Sequence, residues 1–278
     1  MAGFDNILFQ LKLIKERDST SQDSDILNVF AYANPDEAAW QLDWWCPTLT
    51  EAKKAQDYLW NVWELLTDAA RSPDATSEIQ EQLVKILQSL VQIGKGYVPI
   101  SNGTQRVWRD LPLLPQCIES CFQDPMSEAA EFTPESAKIW RNINSFTARC
   151  TGAGVLNPSL QVTYALRSAL EEGLNTDPQN LERAECRMQV ACEWIAHSAK
   201  PLLWWARENI DLSPEAAYED RSQHVRRGEL YEGTPAVCPE RWGFWKIRFG
   251  ELGKHPGFSE EIRKQASEAA ENMAAAER

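Results

Sequence analysis

The stretch Arg241–Phe249, RWGFWKIRF, places two Trp, two Phe and three basic residues in one short segment. Read as a helix, it aligns its apolar side chains at spacings of three and four on one stripe, formed by Trp242, Trp245, Phe249 and Leu252. Arg241 and Arg248 fall on the flank of that stripe, about two helical turns apart. The pattern predicts either an aromatic ligand-binding wall edged by two guanidinium groups or an inward-facing core helix with a basic rim.

The rest of the chain has the same helical character. Apolar residues recur at spacings of three and four across residues 52–70 and 79–93, and a capping box is predicted at Ser77 and Gln80. No alternating run of β-branched residues is convincing as a strand. The sequence therefore predicts an all-α, single-domain fold of about nine to eleven packed, mostly antiparallel helices. Proline punctuates these helices, and Pro201 is expected to kink one of them.

The N-terminal segment differs from this body. Residues 4–14 are apolar, FDNILFQLKLI, and residues 18–25, DSTSQDSD, are polar and typical of a linker. We therefore expect residues 1–33 to form an appendage and linker, and residues 34–278 to form the all-helical domain. Asn34 and Pro35 suit the cap and first turn of the first helix of that domain.

Charge and cysteine content restrict the partners and the compartment. The 278 residues include 28 basic and 41 acidic side chains, a net charge of −13. This balance argues against nucleic acid and against an anionic membrane surface, since both attract Lys and Arg clusters. No apolar stretch approaches the length of a membrane span. Seven Cys without a signal peptide predict free thiols and a cytoplasmic location.

Motifs for bound cofactors and metals are missing from the sequence. Neither GxxxxGK[ST] nor GxGxxG occurs, and no Asp-Asp pair is present to hold magnesium and a diphosphate. Glu193 and His197 lie four residues apart, as do Cys117 and Cys121, but two ligands do not make a metal site. We therefore predict no cofactor and no metal.

Four residues are candidates for catalysis. His197 suits acid–base work if it lines a cavity, and the alternative is a histidine bonded to a carbonyl at the kink before Pro201. Arg241 and Arg248 suit a clamp for a carboxylate or enone oxygen, and the alternatives are surface salt bridges or stacking on Trp. Tyr231 would donate a hydrogen bond if its loop folds over the stripe. The predicted substrate wall comprises Trp108, Trp194, Trp204, Trp242, Trp245 and Phe249.

Several segments together resemble a known family. They are Trp108–Pro112 (WRDLP), Asn144–Arg149 (NSFTAR), Ala165–Glu171 (ALRSALE), Ala191–Ile195 (ACEWI), the GELYEG loop at residues 228–233, and Glu240–Trp245 (ERWGFW). In this order they resemble the fungal family of domain of unknown function 3632, over about residues 55 to 275. The resemblance implies a fungal, helical, soluble protein without a settled activity. It also implies a loose association with genes for secondary metabolites.

Two functions remain open at this point. One is a cofactor-independent enzyme of the cyclase, isomerase or pericyclase type, acting on a hydrophobic small molecule of fungal secondary metabolism. Its aromatic walls would hold a folded substrate, and an Arg, His or Tyr donor would stabilise charge on a carbonyl. The alternative is a non-catalytic helical protein-interaction module, in which the Trp pairs are core or interface residues. A homodimer is compatible with either function.

Overall fold

The computed structural model describes residues 21–47, 51–100, 103–127, 130–174, 177–208 and 226–278. These ranges contain ten helices and one two-stranded hairpin, which confirms the predicted all-α, single-domain class. The helices cluster into two compact units. Unit 1 comprises Met1–Ser127 and Thr133–Phe146, and unit 2 comprises Glu128–Phe132 and Thr147–Arg278.

Unit 1 holds the first helices and the hairpin. Its elements are α1 (Ser21–Tyr32), α2 (Pro35–Trp45), α3 (Ala52–Arg71), α4 (Ser77–Gln92), β1 (Tyr97–Ile100), β2 (Gly103–Arg106), α5 (Leu114–Cys121) and the first part of α6 (Pro134–Gly152). Helix α2 packs mainly on α4, and α1 packs on α2, α3 and α4. Helix α3 packs on α4, α5 and β1, because its apolar stripe is buried along its whole length.

Side-chain caps mark the starts of α2 and α4 in unit 1. The Asn34 Oδ1 atom accepts a hydrogen bond from the Glu37 N–H at 3.0 Å, with Pro35 in the first turn, as predicted. The capping box predicted at Ser77 is wrong by one residue, since Thr76 caps α4 through the Ile79 N–H. Gln80 instead donates to the carbonyls of residues 70 and 142.

Residues 21–25 belong to α1 rather than to the predicted linker. Ile26 and Phe30 on this helix are fully buried, so packing on α3 and α4 stabilises a sequence with a polar start. Residues 1–20 of the predicted appendage lie outside the described residues. The boundary after residue 33 therefore stays a prediction.

The prediction that the chain lacks strands is wrong for residues 97–100 and 103–106. Strand β1 pairs with β2 in antiparallel register, with Tyr97 opposite Arg106 and Ile100 opposite Gly103. Among the eight strand residues, Val98 is the one that is fully buried, so the two strands lack the apolar alternation that marks a longer strand. Gly103 has a φ of 128°, which a residue with a side chain rarely adopts.

Unit 2 contains the end of α6 and four further helices, α7 (Ser159–Leu170), α8 (Pro178–Glu208), α9 (Pro239–Leu252) and α10 (Glu260–Ala276). Helix α10 packs on α8 and α9, and α7 packs on the same two helices. The predicted kink of α8 is present, because Ser198, three residues before Pro201, has non-helical dihedral angles. Within the described ranges, every helix is too short or too polar to cross a lipid bilayer.

Candidate functional site

The aromatic stripe of α9 faces the interior of unit 2. The four side chains that form it are each at most 4% exposed: Trp242, Trp245, Phe249 and Leu252. Arg241, on the flank of the stripe, is fully buried as well. Of the two interpretations of RWGFWKIRF, the inward-facing helix is therefore confirmed, and a role of this wall in binding stays a prediction.

Glu171, the residue after α7, occupies the space beside this wall. Its fully buried carboxylate accepts hydrogen bonds from Arg241 Nε at 2.6 Å and from Arg241 Nη2 at 2.9 Å. Trp245 Nε1 donates to the same carboxylate at 2.7 Å, and the Gly228 N–H donates at 2.8 Å. Four donors meet the needs of a buried carboxylate. The carboxylate that Arg241 clamps is therefore the protein's own.

Arg248 holds the same end of α7. Its Nε donates to the Leu170 carbonyl at 3.1 Å, and its Nη1 donates to the Glu251 carboxylate at 2.6 Å. The C-terminus of a helix carries unpaired carbonyls and partial negative charge, so a cation there is stabilising. The two arginines of α9 thus contact successive residues at the end of α7. The alternative of surface salt bridges matches the Arg248–Glu251 pair, whereas the predicted clamp for a ligand oxygen stays a prediction.

The GELYEG loop docks on Glu171. The Leu230 N–H donates to the Glu171 carbonyl at 2.9 Å, and the Glu229 carboxylate accepts from the Gly173 N–H at 2.7 Å. A Cβ atom at Gly228 would lie 2.5 Å from the Glu171 carbonyl oxygen, so glycine permits this approach. Backbone hydrogen bonds therefore fix the loop against the residues that follow α7.

Tyr231, in the same loop, lies against Arg241. The Arg241 guanidinium lies 5.3 Å from the Tyr231 ring centroid and 5.2 Å from that of Trp245, which is cation–π geometry on two sides. Burial raises the pKa of Tyr231, and so does its contact with Cys238 Sγ at 3.8 Å. The phenol therefore stays protonated. Stacking on Trp, which the sequence left as an alternative for Arg241, is present.

His197 pairs locally on the helix that carries it. Its Nε2 lies 3.3 Å from the Glu193 carboxylate, one turn earlier on α8. Gly152 of α6 packs so closely on the His197 carbonyl that a Cβ atom would not fit. The histidine thus flanks the kink of α8, as the structural alternative expected, but its side chain pairs with a carboxylate. Its predicted catalytic role is untested.

The three other predicted wall residues lie outside α9 in the sequence: Trp108, Trp194 and Trp204. Trp194 is fully buried on α8, whereas Trp204 on the same helix is 56% exposed. Trp108 belongs to unit 1, where its Nε1 donates to Asp43 at 2.7 Å and its ring meets Trp63 edge-on at 5.9 Å. Its φ of 66° places it in the left-handed region, which is uncommon for a residue other than glycine. The loop tryptophan therefore fills the core of unit 1.

Two features of the structure were missed by reasoning from sequence. Glu171 ends a segment quoted for the family resemblance, but its partners lie about 57 to 74 residues further along the chain. Trp40 and Trp44 on α2 stack with centroids 5.8 Å apart and are 58% and 74% exposed. Their four-residue spacing on a helix with other apolar core positions was the available signal.

Thiol and metal chemistry receive little support from the described residues. All seven Cys are free. Burial raises the pKa of Cys46 to about 11 and of Cys117 to about 12, which leaves almost no nucleophilic thiolate at neutral pH. Within the described ranges, no three His, Cys, Asp or Glu side chains group in a way that could hold a metal ion.

A small cavity lies beside the end of the α9 stripe. It has a volume of about 30 Å³ and is lined by Ser168, Ala169, Glu172, Gly173, Leu174, Ala184, Arg187, Arg248, Leu252 and Phe258. These residues come from the ends of α7 and α9, from α8 and from the turn before α10. Arg248 and Leu252 connect the cavity to the helix that the sequence singled out.

The protein is thus an all-α protein in which the aromatic helix α9 is hydrogen-bonded to a buried glutamate of the same chain. The family described as Protein of unknown function (DUF3632) matches residues 63–249, and the chain belongs to that family. The match includes Glu171, the GELYEG loop and the whole stripe except Leu252. No curated protein and no solved structure matches the chain.

Proposed function

We propose that this protein is a non-catalytic helical interaction module that binds a partner protein through Trp40 and Trp44. The observation that carries the proposal is the stacked, exposed pair itself. The two rings are inclined by 19°, with more than half of each side chain accessible. Large aromatic side chains exposed side by side are typical of binding surfaces, and Trp is enriched among the residues that dominate binding energy.

The position of the pair on α2 supports this role. Three residues of the helix, Ala38, Ala39 and Leu42, are buried against the rest of unit 1, so neither tryptophan is needed for this packing. The two rings thus lie outside the contact that holds α2 in place. Burying them against a partner would remove apolar surface from water without disturbing the core.

The charges beside the pair indicate the partner's chemistry. Asp36 and Glu37 are exposed and lie one turn before Trp40 on the same helix. The chain carries a net charge of −13, which disfavours a second copy at this surface. The matching occupant is a protein segment that presents an apolar side chain next to Lys or Arg, since a cation also binds favourably over a Trp face.

Purification of the tagged full chain from cells that express it tests this proposal. The wild-type protein should retain a stoichiometric partner with a basic contact surface, and the partner should dissociate as the salt concentration rises. Trp40→Ala combined with Trp44→Ala should lose it, because each ring contributes about 2 kcal/mol, or roughly thirtyfold in affinity.

Trp204→Ala is the matched control, because Trp204 is exposed to a similar extent in unit 2. Equal partner recovery with the double variant and with the wild type would contradict the proposed surface. Native mass measurement separates a heteromeric complex from a homodimer.

A second candidate is the cofactor-independent cyclase, isomerase or pericyclase acting on a hydrophobic small molecule of fungal secondary metabolism. The observation that favours it is the position of Arg248 and Leu252 at the edge of a cavity, and the cavity of about 30 Å³ must widen before such a substrate binds. Such a reaction conserves mass, so loss of the gene should replace one metabolite with an isomer of different retention time. In a turnover assay on that isomer, Arg248→Ala and His197→Ala should each lower the rate. Full activity of both variants would contradict the proposed catalytic residues.

A further inference from the structure

We propose that the outward face of α9 is a dimer interface, on which α9 of a second copy of this chain packs in antiparallel orientation. On the side of the helix opposite the buried stripe, five residues follow one another at alternating spacings of three and four: Glu240, Gly243, Ile247, Gly250 and Lys254. Two helices pack along a seam with this spacing. The surface belongs to unit 2 and excludes Trp40 and Trp44, so the inference does not depend on the proposed interaction module.

Ile247 lies at the centre of this face and is 62% exposed. The packing of α9 on α7, α8 and α10 uses the buried stripe on the other side of the helix, so Ile247 takes no part in it. An aliphatic side chain in the middle of a helix gains nothing from exposure to water. Its burial against the same residue of a second copy would remove apolar surface from water on both chains.

Gly243 and Gly250 flank Ile247, one turn away on either side. Glycine inside a helix lowers its stability relative to alanine. A Cβ atom added at either glycine would meet nothing within 4 Å, so packing within the described part of the chain does not require glycine there. The close approach of a second helix backbone gives a physical reason for both residues.

The charges at the two ends of the face are self-complementary. Glu240 lies seven residues before Ile247 and Lys254 lies seven residues after it, and both side chains are exposed. The Lys254 N–H donates to the Glu251 carbonyl at 3.1 Å, so the chain makes a further turn past the end of α9. When two antiparallel copies cross at Ile247, Glu240 of each lies opposite Lys254 of the other. Two-fold symmetry forms this pair twice, whereas a parallel arrangement would set like charges together.

The other charges near this face are balanced within the chain. Lys246 pairs with Glu277 at 2.6 Å, and Arg248 pairs with Glu251 at 2.6 Å. The net charge of −13 repels two copies at long range, but physiological salt screens exposed charges beyond about 8 Å. The local pattern therefore favours a second copy of the same helix over a strongly acidic or strongly basic partner.

The length of α9 sets the expected strength of the dimer. The helix has 14 residues and is thus about 21 Å long. A single pair of such helices buries less area than a typical stable dimer, so we expect a dissociation constant of about 10–100 μM.

Sedimentation equilibrium of the full-length chain at physiological ionic strength tests the proposal, and a reversible monomer–dimer equilibrium is expected. Ile247→Asp should weaken the dimer about tenfold or more, because it places two carboxylates together at the centre of the interface. Trp204→Asp is the matched control, since Trp204 on α8 is 56% exposed but lies outside the face. It should leave the dissociation constant unchanged. Circular dichroism of dilute samples checks that each variant keeps its helices.

Exchange of the end charges tests the antiparallel arrangement. Glu240→Lys and Lys254→Glu should each weaken the dimer about tenfold, because each creates two like-charge pairs. The double variant should restore the wild-type affinity. An equimolar mixture of the two single variants should form a heterodimer, since opposite charges then meet at both ends. A substitution that merely damaged the fold would show neither form of rescue.

The proposal is overturned by a protein that stays monomeric up to millimolar concentration, or by a dimer that Ile247→Asp leaves unchanged. Single charge variants that are not rescued by the double exchange and by mixing would also overturn it. Loss of the dimer in the combined Trp40→Ala and Trp44→Ala variant would assign the interface to α2 instead. Loss of a partner protein in that variant, with the dimer intact, bears on the interaction module alone, so the two proposals fail separately.

Discussion

Helices α2 and α9 use tryptophan in opposite ways. On α9, Trp242 and Trp245 are buried, and their N–H groups donate to the carboxylates of Glu277 and Glu171. On α2, Trp40 and Trp44 stack on one another and remain largely exposed. Both pairs follow helical spacing of three or four residues, so spacing alone does not separate a core stripe from a surface.

The difference comes from what shares the helix with each pair. On α2, Ala38, Ala39 and Leu42 already form a buried face, so the tryptophans need not enter the core. On α9, the tryptophans are themselves the buried face, and a buried indole needs an acceptor for its N–H. Acceptors supplied from distant parts of the chain therefore distinguish the core helix from the exposed one.

The strongest challenge to this comparison is removal of the charge that holds Glu171. Arg241→Met should lower the free energy of unfolding by about 3–5 kcal/mol, because it leaves a carboxylate buried without its cation. Urea unfolding followed by circular dichroism measures the change. Arg248→Met, on the same helix but bonded to the Leu170 carbonyl and Glu251, is the control and should cost less.

The double variant Glu171→Gln with Arg241→Met tests the cause. It should recover part of the loss, since neither member of the buried pair then carries a charge. A double variant less stable than Arg241→Met alone would contradict the view that the orphaned carboxylate is the main cost.

The next largest effect concerns the close approach of the GELYEG loop to Glu171. Gly228→Ala should destabilise the protein by about 1–3 kcal/mol, because its Cβ would meet the Glu171 carbonyl and the loop would have to move. Gly243→Ala on α9 is a matched control with nothing within 4 Å of the added carbon. It should stabilise the helix by about 0.5–1 kcal/mol. Thermal denaturation measures both variants. An equal shift of the Tm by the two substitutions would refute the proposed contact.

A direct comparison of the two helices uses the same substitution in each. Trp245→Phe should cost about 1–3 kcal/mol, since it removes a donor from the buried Glu171 carboxylate and leaves a small void. Trp44→Phe should change stability by less than about 0.5 kcal/mol, because the ring is 74% exposed. Urea midpoints, compared at equal m-values, measure both changes. Equal losses of unfolding free energy would remove the distinction drawn between α2 and α9.

The sequence predicted the helices better than their contacts. Periodic positions such as Leu83 and Leu87, and the α9 stripe, are buried as expected, because helical spacing reports which residues share a face. The hairpin was missed because, among the described residues of its two strands, Val98 alone has a fully buried apolar side chain. Glu171 was missed as a site because its partners are remote in sequence. The local pattern of apolar residues predicts neither the burial of Glu171 nor its pairing with Arg241.

The smallest expected effect concerns Glu277, the exposed counterpart of Glu171. Its carboxylate accepts from Lys246 Nζ at 2.6 Å and from Trp242 Nε1 at 2.9 Å, and these contacts, the Lys246 bond above all, lower its pKa. Glu277→Gln should cost less than about 1 kcal/mol at neutral pH, because the pair is partly solvated and screened by salt.

The pH dependence of that cost identifies its origin. A carboxylate with a lowered pKa in the folded state stabilises the protein above the ordinary glutamate pKa, because the unfolded chain binds the proton more readily. This stabilisation is lost as the pH falls through the lowered folded-state pKa. Urea titrations of wild type and Glu277→Gln should therefore differ at pH 7 and converge in acid. A difference that persisted unchanged at the lowest pH at which the protein stays folded would assign the loss to the contact with Trp242 rather than to charge.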